Sequence, residues 1–251
     1  MTITSKDNEK LKLVRKLAAG KHREREGLFV TEGEDLLKAG RSAGIEPVAL
    51  LTREGEELGG DEVEAELLDA ASTLGSGTRV IAIWPLPSGE RAGTTPMGGA
   101  GARSPGEGTV CVYLHGVGDP GNVGSIVRSV GALADACVAL GPDCADPYGP
   151  KAVRASMGAI FNVSISRCEL EETPNPRVSL VAHGGSAEPP ADVETICLGS
   201  ERDGLPSEVI DATDATWTIP MRPDAVESLG VAAAAAIALS RIGSPLREER
   251  A

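Results

Sequence analysis

Several short stretches in the second half of the chain are apolar at consecutive rather than alternate positions, and that pattern constrains the fold most. "TVCVYL" (109–114), "CVALG" (137–141) and "TICLG" (195–199) carry almost no polar side chain. A strand with one face in water alternates apolar and polar residues, whereas a strand apolar throughout is covered on both faces by helices. The intervening segments supply those helices: residues 122–134, 150–157, a short helix from Pro206, and 227–242. Further strands fit "FNVSIS", "VSLVAH" and "TWTIP". The first third alternates in the same way, with a basic helix over 7–19, a strand in "GLFVTEG", a helix over 32–43, a strand in "PVALLT", a helix over 61–72 and a strand in "RVIAIW". The expected class is α/β, with a mostly parallel, doubly covered sheet.

Between these halves lies "LPSGERAGTTPMGGAGARSPGEG" (86–108), which has too little apolar surface to build a core. It divides the 251 residues into a small leading α/β domain (1–88), a linker (89–108) and a second domain (109–246), with a frayed tail beyond. Aromatic residues make up only 2% of the chain, so the cores are expected to be built from Ala, Val, Leu and Ile. The five cysteines form no CxxC pair and read as reduced packing thiols, with no metal site. The segment "MTITSKDNEK" lacks a signal-peptide core and no apolar run spans a bilayer, so a soluble cytoplasmic protein is expected.

The net charge of −13 argues against nucleic acid as a partner, but its distribution argues the other way. Residues 1–25 hold eight Lys/Arg against Asp7, Glu9 and Glu24, which leaves the rest of the chain at −18. A basic arm on an acidic body suits a local phosphate-contacting patch, and equally a solvated helix face.

"VCVYLHGVGDPGNVGSIVRS" (110–129) contains G-x-G-x-x-G at Gly116, Gly118 and Gly121, and Asp143 follows at a distance a dinucleotide site would allow. Pro120, however, removes an amide from the turn that should cradle a pyrophosphate. Asn122 and Arg128 put polar groups where such a helix packs small apolar ones. Two later stretches offer a better context: "CLGSERDGLP" (197–206) and "IPMRPDAVESLGVAAAAAIAL" (219–239). Singly, Glu201 is a loop acid, Ser228 an N-cap and the alanine run a close-packed helix.

Taken with "DPGNVGSIVR" (119–128), these stretches stand in the order of a known signature. The chain resembles the SpoU (TrmH-like) group of the SPOUT RNA methyltransferases, whose motifs read D-P-x-N-x-G-x-x-x-R, G-x-E-x-x-G and I-P-M-…-S-L-N-V. "DPYGPKAVRASMGAIFNVSI" (146–165) resembles the insert between the first two, and "NEKLKLVRKL" and "REREGLFVTEG" resemble the small RNA-substrate domain. The resemblance implies a trefoil-knotted C-terminal domain that binds S-adenosylmethionine, dimerises, and methylates a ribose 2′-hydroxyl, in ribosomal (23S) rather than transfer RNA. By motif position, Arg128 serves hydroxyl activation or phosphate anchoring. Asn122 would orient Arg128 or the ribose, Glu201 would hold an arginine, and Ser228 would position the substrate. Gly199, Gly204, Ile219, Met221 and Leu229 would surround the cofactor, and Lys16, Arg23, Arg25 and Arg154 would contact RNA. Gly230 replaces the usual Asn of the third motif. That departure keeps open an RNA-binding scaffold with weakened or lost methylation, and the glycine string keeps open a nicotinamide-dependent enzyme.

Overall fold

A computed structural model describes residues 2–87, 109–222 and 226–242. The expected linker (89–108) and the tail after residue 242 lie outside the described residues.

The leading region begins with helices α1 (Glu9–Leu17) and α2 (Gly20–Glu26). It continues through β1 (Leu28–Glu32), α3 (Glu34–Ser42), β2 (Ala49–Arg53), β3 (Asp61–Val63), α4 (Ala65–Ala71) and β4 (Val80–Pro85). The four strands form one sheet in the order β1-β4-β2-β3. This sheet is mixed: β4 runs antiparallel to both β1 and β2, and only β2 and β3 are parallel. Strand β4 shows how both faces are used. Ile81 and Ile83 pack with Leu11, Leu17 and Leu68 of α1 and α4, while Val80, Ala82 and Trp84 face the second half of the chain.

The second region contains β5 (Val110–Leu114), α5 (Pro120–Leu133), β6 (Ala136–Leu140), α6 (Pro150–Ser156) and β7 (Ile165–Arg167). It ends with β8 (Arg177–Leu180), β9 (Thr195–Leu198), α7 (Ser207–Asp211), β10 (Ala215–Trp217) and α8 (Val231–Ile242). All six strands are parallel, in the order β10-β8-β9-β5-β6-β7. One face carries Val112, Leu114, Val138 and Leu140 in a core shared with α5 and α8. The other carries Cys111, Tyr113, Cys137 and Cys197 against Leu205 and Val209. Burial pushes the Cys197 thiol up to about 12 and Cys168 up to about 11, which keeps both protonated at neutral pH.

Several elements differ from the expectation. The basic helix is shorter, and "GKHRERE" forms a separate helix, α2. The segment 61–72 opens as strand β3 because its first residues pair with β2. Helix α8 starts at Val231, so Ser228 and Leu229 stand in the approach to it, with the carbonyl of Gly230 accepting from Ala234 (3.0 Å).

The aromatic residues correct the expectation of a purely aliphatic core. All six are buried, and four of them meet where the leading sheet packs against α6 and the turn that follows it. Phe29 and Trp84 come from the leading sheet, Tyr148 and Phe161 from the second region. Ring centroids are 5.1 Å apart for Phe29–Tyr148, 5.8 Å for Phe29–Phe161 and 4.8 Å for Trp84–Phe161. The Trp84 indole N–H donates to Thr31 Oγ1 (2.8 Å). Gly40 of α3 leaves room for this ring, because a Cβ there would come within 2.4 Å of it. Gly40→Ala is therefore expected to cost about 1–3 kcal/mol by overpacking. A thermal melt checks this: Tm should fall by several degrees, whereas an unchanged Tm would mean that the ring relaxes freely.

Candidate active site

The site lies beyond the C-terminal ends of β5, β9 and β10, where the three sequence motifs converge. After β9 the chain turns back at once: Ser200 N donates to Gly204 O and Gly204 N to Ser200 O, both at 3.1 Å. Two glycines make this turn possible. Gly204 adopts a left-handed φ of 69°. Gly199 packs so closely that a Cβ would lie 2.1 Å from the carbonyl carbon of Gly204.

This loop, the segment after β10 and the approach to α8 enclose a cavity of about 340 Å³. Its walls are largely apolar, with Leu198, Leu205, Ile219, Met221, Leu229 and Val231 among them. The cavity brings together all five residues expected at the cofactor, Gly199, Gly204, Ile219, Met221 and Leu229, and both Glu201 and Ser228 line it too. A mostly apolar cleft of this size with a few convergent polar groups is the usual form of a small-molecule site.

An open hollow adjoins it, lined by Gly116, Gly118, Asp119, Asn122 and the 200–203 turn. Helix α5 begins here with Pro120 in its first turn and Asp119 as N-cap. Asp119 Oδ1 accepts from the amides of Gly121 (2.6 Å) and Asn122 (3.1 Å), and Oδ2 accepts from Lys151 Nζ (2.7 Å). The Lys151 ammonium, followed by those amides, holds the Asp119 carboxyl below the usual aspartate range. A carboxylate thus already occupies the amides that a dinucleotide pyrophosphate would need. That geometry counts against the nicotinamide reading.

Asn122 Nδ2 donates to Glu201 Oε1 at 2.5 Å and so joins the first motif to the second across the hollow. Glu201 therefore bonds an amide here, not the arginine the resemblance implied, and Asn122 does not reach Arg128. Arg128 lies six positions further along α5, about 240° around the helix. It is exposed, lines neither hollow, and has no partner among the described residues.

The four expected RNA contacts separate. Arg23 is buried and bonded on all sides: to Leu17 O (2.6 Å), Ala18 O (2.9 Å) and Asp146 Oδ2 (3.0 and 2.5 Å). It faces protein, and four of its five N–H donors are already engaged there. Lys16 and Arg25 share the Glu26 carboxylate at 2.8 and 3.1 Å. Arg154 stands exposed on α6 at a cleft between the two regions and has no partner among the described residues.

Sequence reasoning gave no role to Asp119, Lys151, Asp146 or Arg202. Asp119 before Pro120 carried the signal of a helix cap. Arg202 lines both hollows but looked like any loop cation.

Strands ending in glycine turns around one apolar cleft, with an amide–carboxylate pair at its mouth, define an α/β site for a small cofactor and a second, open-side substrate. Residues 109–240 match the SpoU rRNA methylase family, and the chain belongs to that family. An uncharacterised tRNA/rRNA methyltransferase of Mycobacterium bovis is 34% identical over 154 residues, which cover 55% of this chain and 51% of that protein. The chain thus spans about half the length of that relative. The Bacillus subtilis 23S rRNA (guanosine(2553)-2′-O)-methyltransferase RlmP is 26% identical over 257 residues, covering 94% of this chain and 96% of RlmP. The AdoMet-bound rRNA methyltransferase of Sinorhizobium meliloti superposes with a TM-score of 0.79 at 25% identity, covering 96% of this chain and 97% of the other.

Proposed function

We propose that this protein uses S-adenosylmethionine to methylate a ribose 2′-hydroxyl in RNA, with ribosomal RNA as the substrate class. The observation that carries the reading is the Asn122–Glu201 bond, which sets an acceptor hollow against the mouth of the cavity that the second and third motifs enclose. S-adenosylmethionine in that cavity would supply an electrophilic methyl group. The residues present suit it: apolar side chains line the cavity and would pack an adenine, and the backbone of Ile219, Met221 and Leu229 would read its edge.

The chain's own task is geometric. An incoming hydroxyl has to sit about 3 Å from the methyl carbon and in line with the bond that breaks. Asn122 and Glu201 fix one wall of the hollow, and Ser228 borders the cavity from the third motif. Arg128 acts on the hydroxyl or its phosphate once RNA or a second copy of the chain covers its face of α5. The homodimer through the C-terminal domain and the trefoil knot belong to this same reading. A cytoplasmic location belongs to the same reading, and no helix among the described residues is long and apolar enough to cross a membrane.

One observation favours the scaffold alternative: Gly230 leaves open space at the mouth of α8, with nothing within 4 Å of where a Cβ would stand. An Asn side chain would fit there, and its absence removes a hydrogen-bonding group.

Thermal shift tests the cofactor directly. At a hundred times its Kd, S-adenosylhomocysteine should stabilise the protein by about 2.7 kcal/mol, while NAD should do nothing. Stabilisation by NAD alone would reverse the reading. For RNA, Arg154→Ala is expected to lower affinity and to flatten the log–log salt dependence by about one. An unchanged slope would remove Arg154 from the interface.

A further inference from the structure

Two runs of polar contacts, joined through the backbone that enters α6, lead from inside the leading region to the acceptor hollow. The first begins at Arg23 of α2, whose guanidinium reaches Asp146 of the second region, 123 positions away in sequence. The other oxygen of Asp146 accepts from the amide of Tyr148 (2.8 Å), and its carbonyl accepts from Gly149 (3.2 Å), which shapes the chain entering α6. From the first turn of α6, Lys151 reaches Asp119 (2.7 Å). Asp119 in turn holds the amides of Gly121 and Asn122, and Asn122 holds Glu201. The aromatic quartet lies beside the first run, since Tyr148 belongs to both.

We infer that Asp146 and Lys151 are positioning residues that set the acceptor wall of the active site and the seating of the leading region from the one short segment that enters and opens α6. Arg23 then serves the RNA arm by anchoring it, not by touching RNA. The basic α1–α2 face and the acceptor hollow are held at a fixed separation, so the substrate class that fits is a folded RNA large enough to touch both at once. A short single strand reaches the hollow alone. The inference rests on the proposed methyl transfer for its kinetic consequences, but the two runs of contacts have readouts of their own.

Two such readouts come from the composition. The chain has two tryptophans, Trp84 in the aromatic seam and Trp217 in β10, so 5-fluorotryptophan gives one signal from the seam and one internal control. The side-chain amide of Asn122 reports the acceptor wall. Asp146→Asn is expected to shift the Trp84 signal and not that of Trp217. It should also raise KM for a folded rRNA fragment by about fivefold while leaving KM for a short acceptor oligonucleotide unchanged. Lys151→Met is expected to shift the Asn122 amide and to lower kcat by about tenfold on both RNAs at unchanged affinity for S-adenosylhomocysteine, and Lys151→Arg should recover most of that loss.

An unmoved Asn122 amide in Lys151→Met, or a kcat within twofold of wild type, overturns the inference. So does a fall in Tm with neither signal displaced, because that marks two ion pairs that act on stability alone. If the unaltered protein methylates neither RNA, the functional reading fails, and the two resonances still decide whether the segment couples the regions.

Discussion

Gly199→Ala is expected to abolish binding of S-adenosylhomocysteine while the rest of the chain stays folded. The added Cβ would stand 2.1 Å from the carbonyl carbon of Gly204, 2.2 Å from Leu205 N and 2.3 Å from Gly204 O. Ordinary carbon contacts lie near about 3.5–4 Å, so backbone must move by more than an ångström. Those backbone atoms have no flexible end that could swing aside. The turn from Ser200 to Gly204 is closed by two reciprocal hydrogen bonds and forms one side of the cavity, so its displacement reshapes the cofactor's wall directly. The predicted loss of affinity exceeds about a hundredfold, or more than about 2.7 kcal/mol, against an apo-protein penalty of about 1–3 kcal/mol for the strained loop. Titration calorimetry with S-adenosylhomocysteine measures the first quantity and a melt the second. Binding within threefold of wild type would show that the cavity at β9 is not the cofactor site.

Arg128→Ala should reduce methyl transfer by about a hundredfold or more, the size typical of losing a positioned group at a proton transfer. The structure makes this a clean variant. Arg128 is exposed and unpartnered among the described residues, and a surface change of that kind shifts stability by no more than about 0.5 kcal/mol. A loss of rate then cannot be assigned to unfolding. Nor can it be assigned to the cofactor, because Arg128 does not line the cavity. Cofactor affinity and Tm should stay at wild-type values while incorporation falls. Incorporation within threefold of wild type would remove Arg128 from the reaction and leave Asp119 and Asn122 as the side chains by which the first motif shapes the hollow.

The strands of the parallel sheet were legible because continuous apolar runs have one common explanation, burial on both faces. The cavity was legible for a related reason. Its residues sit at strand ends, where loops of an α/β sheet converge, and the motif spacing marks three such ends. Helix α2 was not legible as a separate element: "GKHRERE" has no apolar stripe, and a tertiary ion pair holds it through Arg23. The same arginine looked like part of a basic RNA-binding run, because neither charge nor spacing reveals a partner 123 positions away. The aromatic seam was hidden by scarcity, since residues 29, 84, 148 and 161 form no periodic pattern. Within the site, the positions of Asn122 and Glu201 were readable but their bond was not, because it depends on how closely the first turn of α5 approaches the turn after β9.

The central claim is a transfer of a methyl group to a ribose oxygen, and alkali gives the most direct measurement. A free 2′-hydroxyl is the nucleophile by which alkali cleaves RNA, so a 2′-O-methyl group leaves its linkage intact. Ribosomal RNA from a strain lacking this protein would be incubated with the protein and tritiated S-adenosylmethionine, then hydrolysed to completion in alkali. The account predicts label in alkali-resistant dinucleotides. Label in mononucleotides, which marks base methylation, or no label in RNA that the protein nonetheless binds, would contradict it.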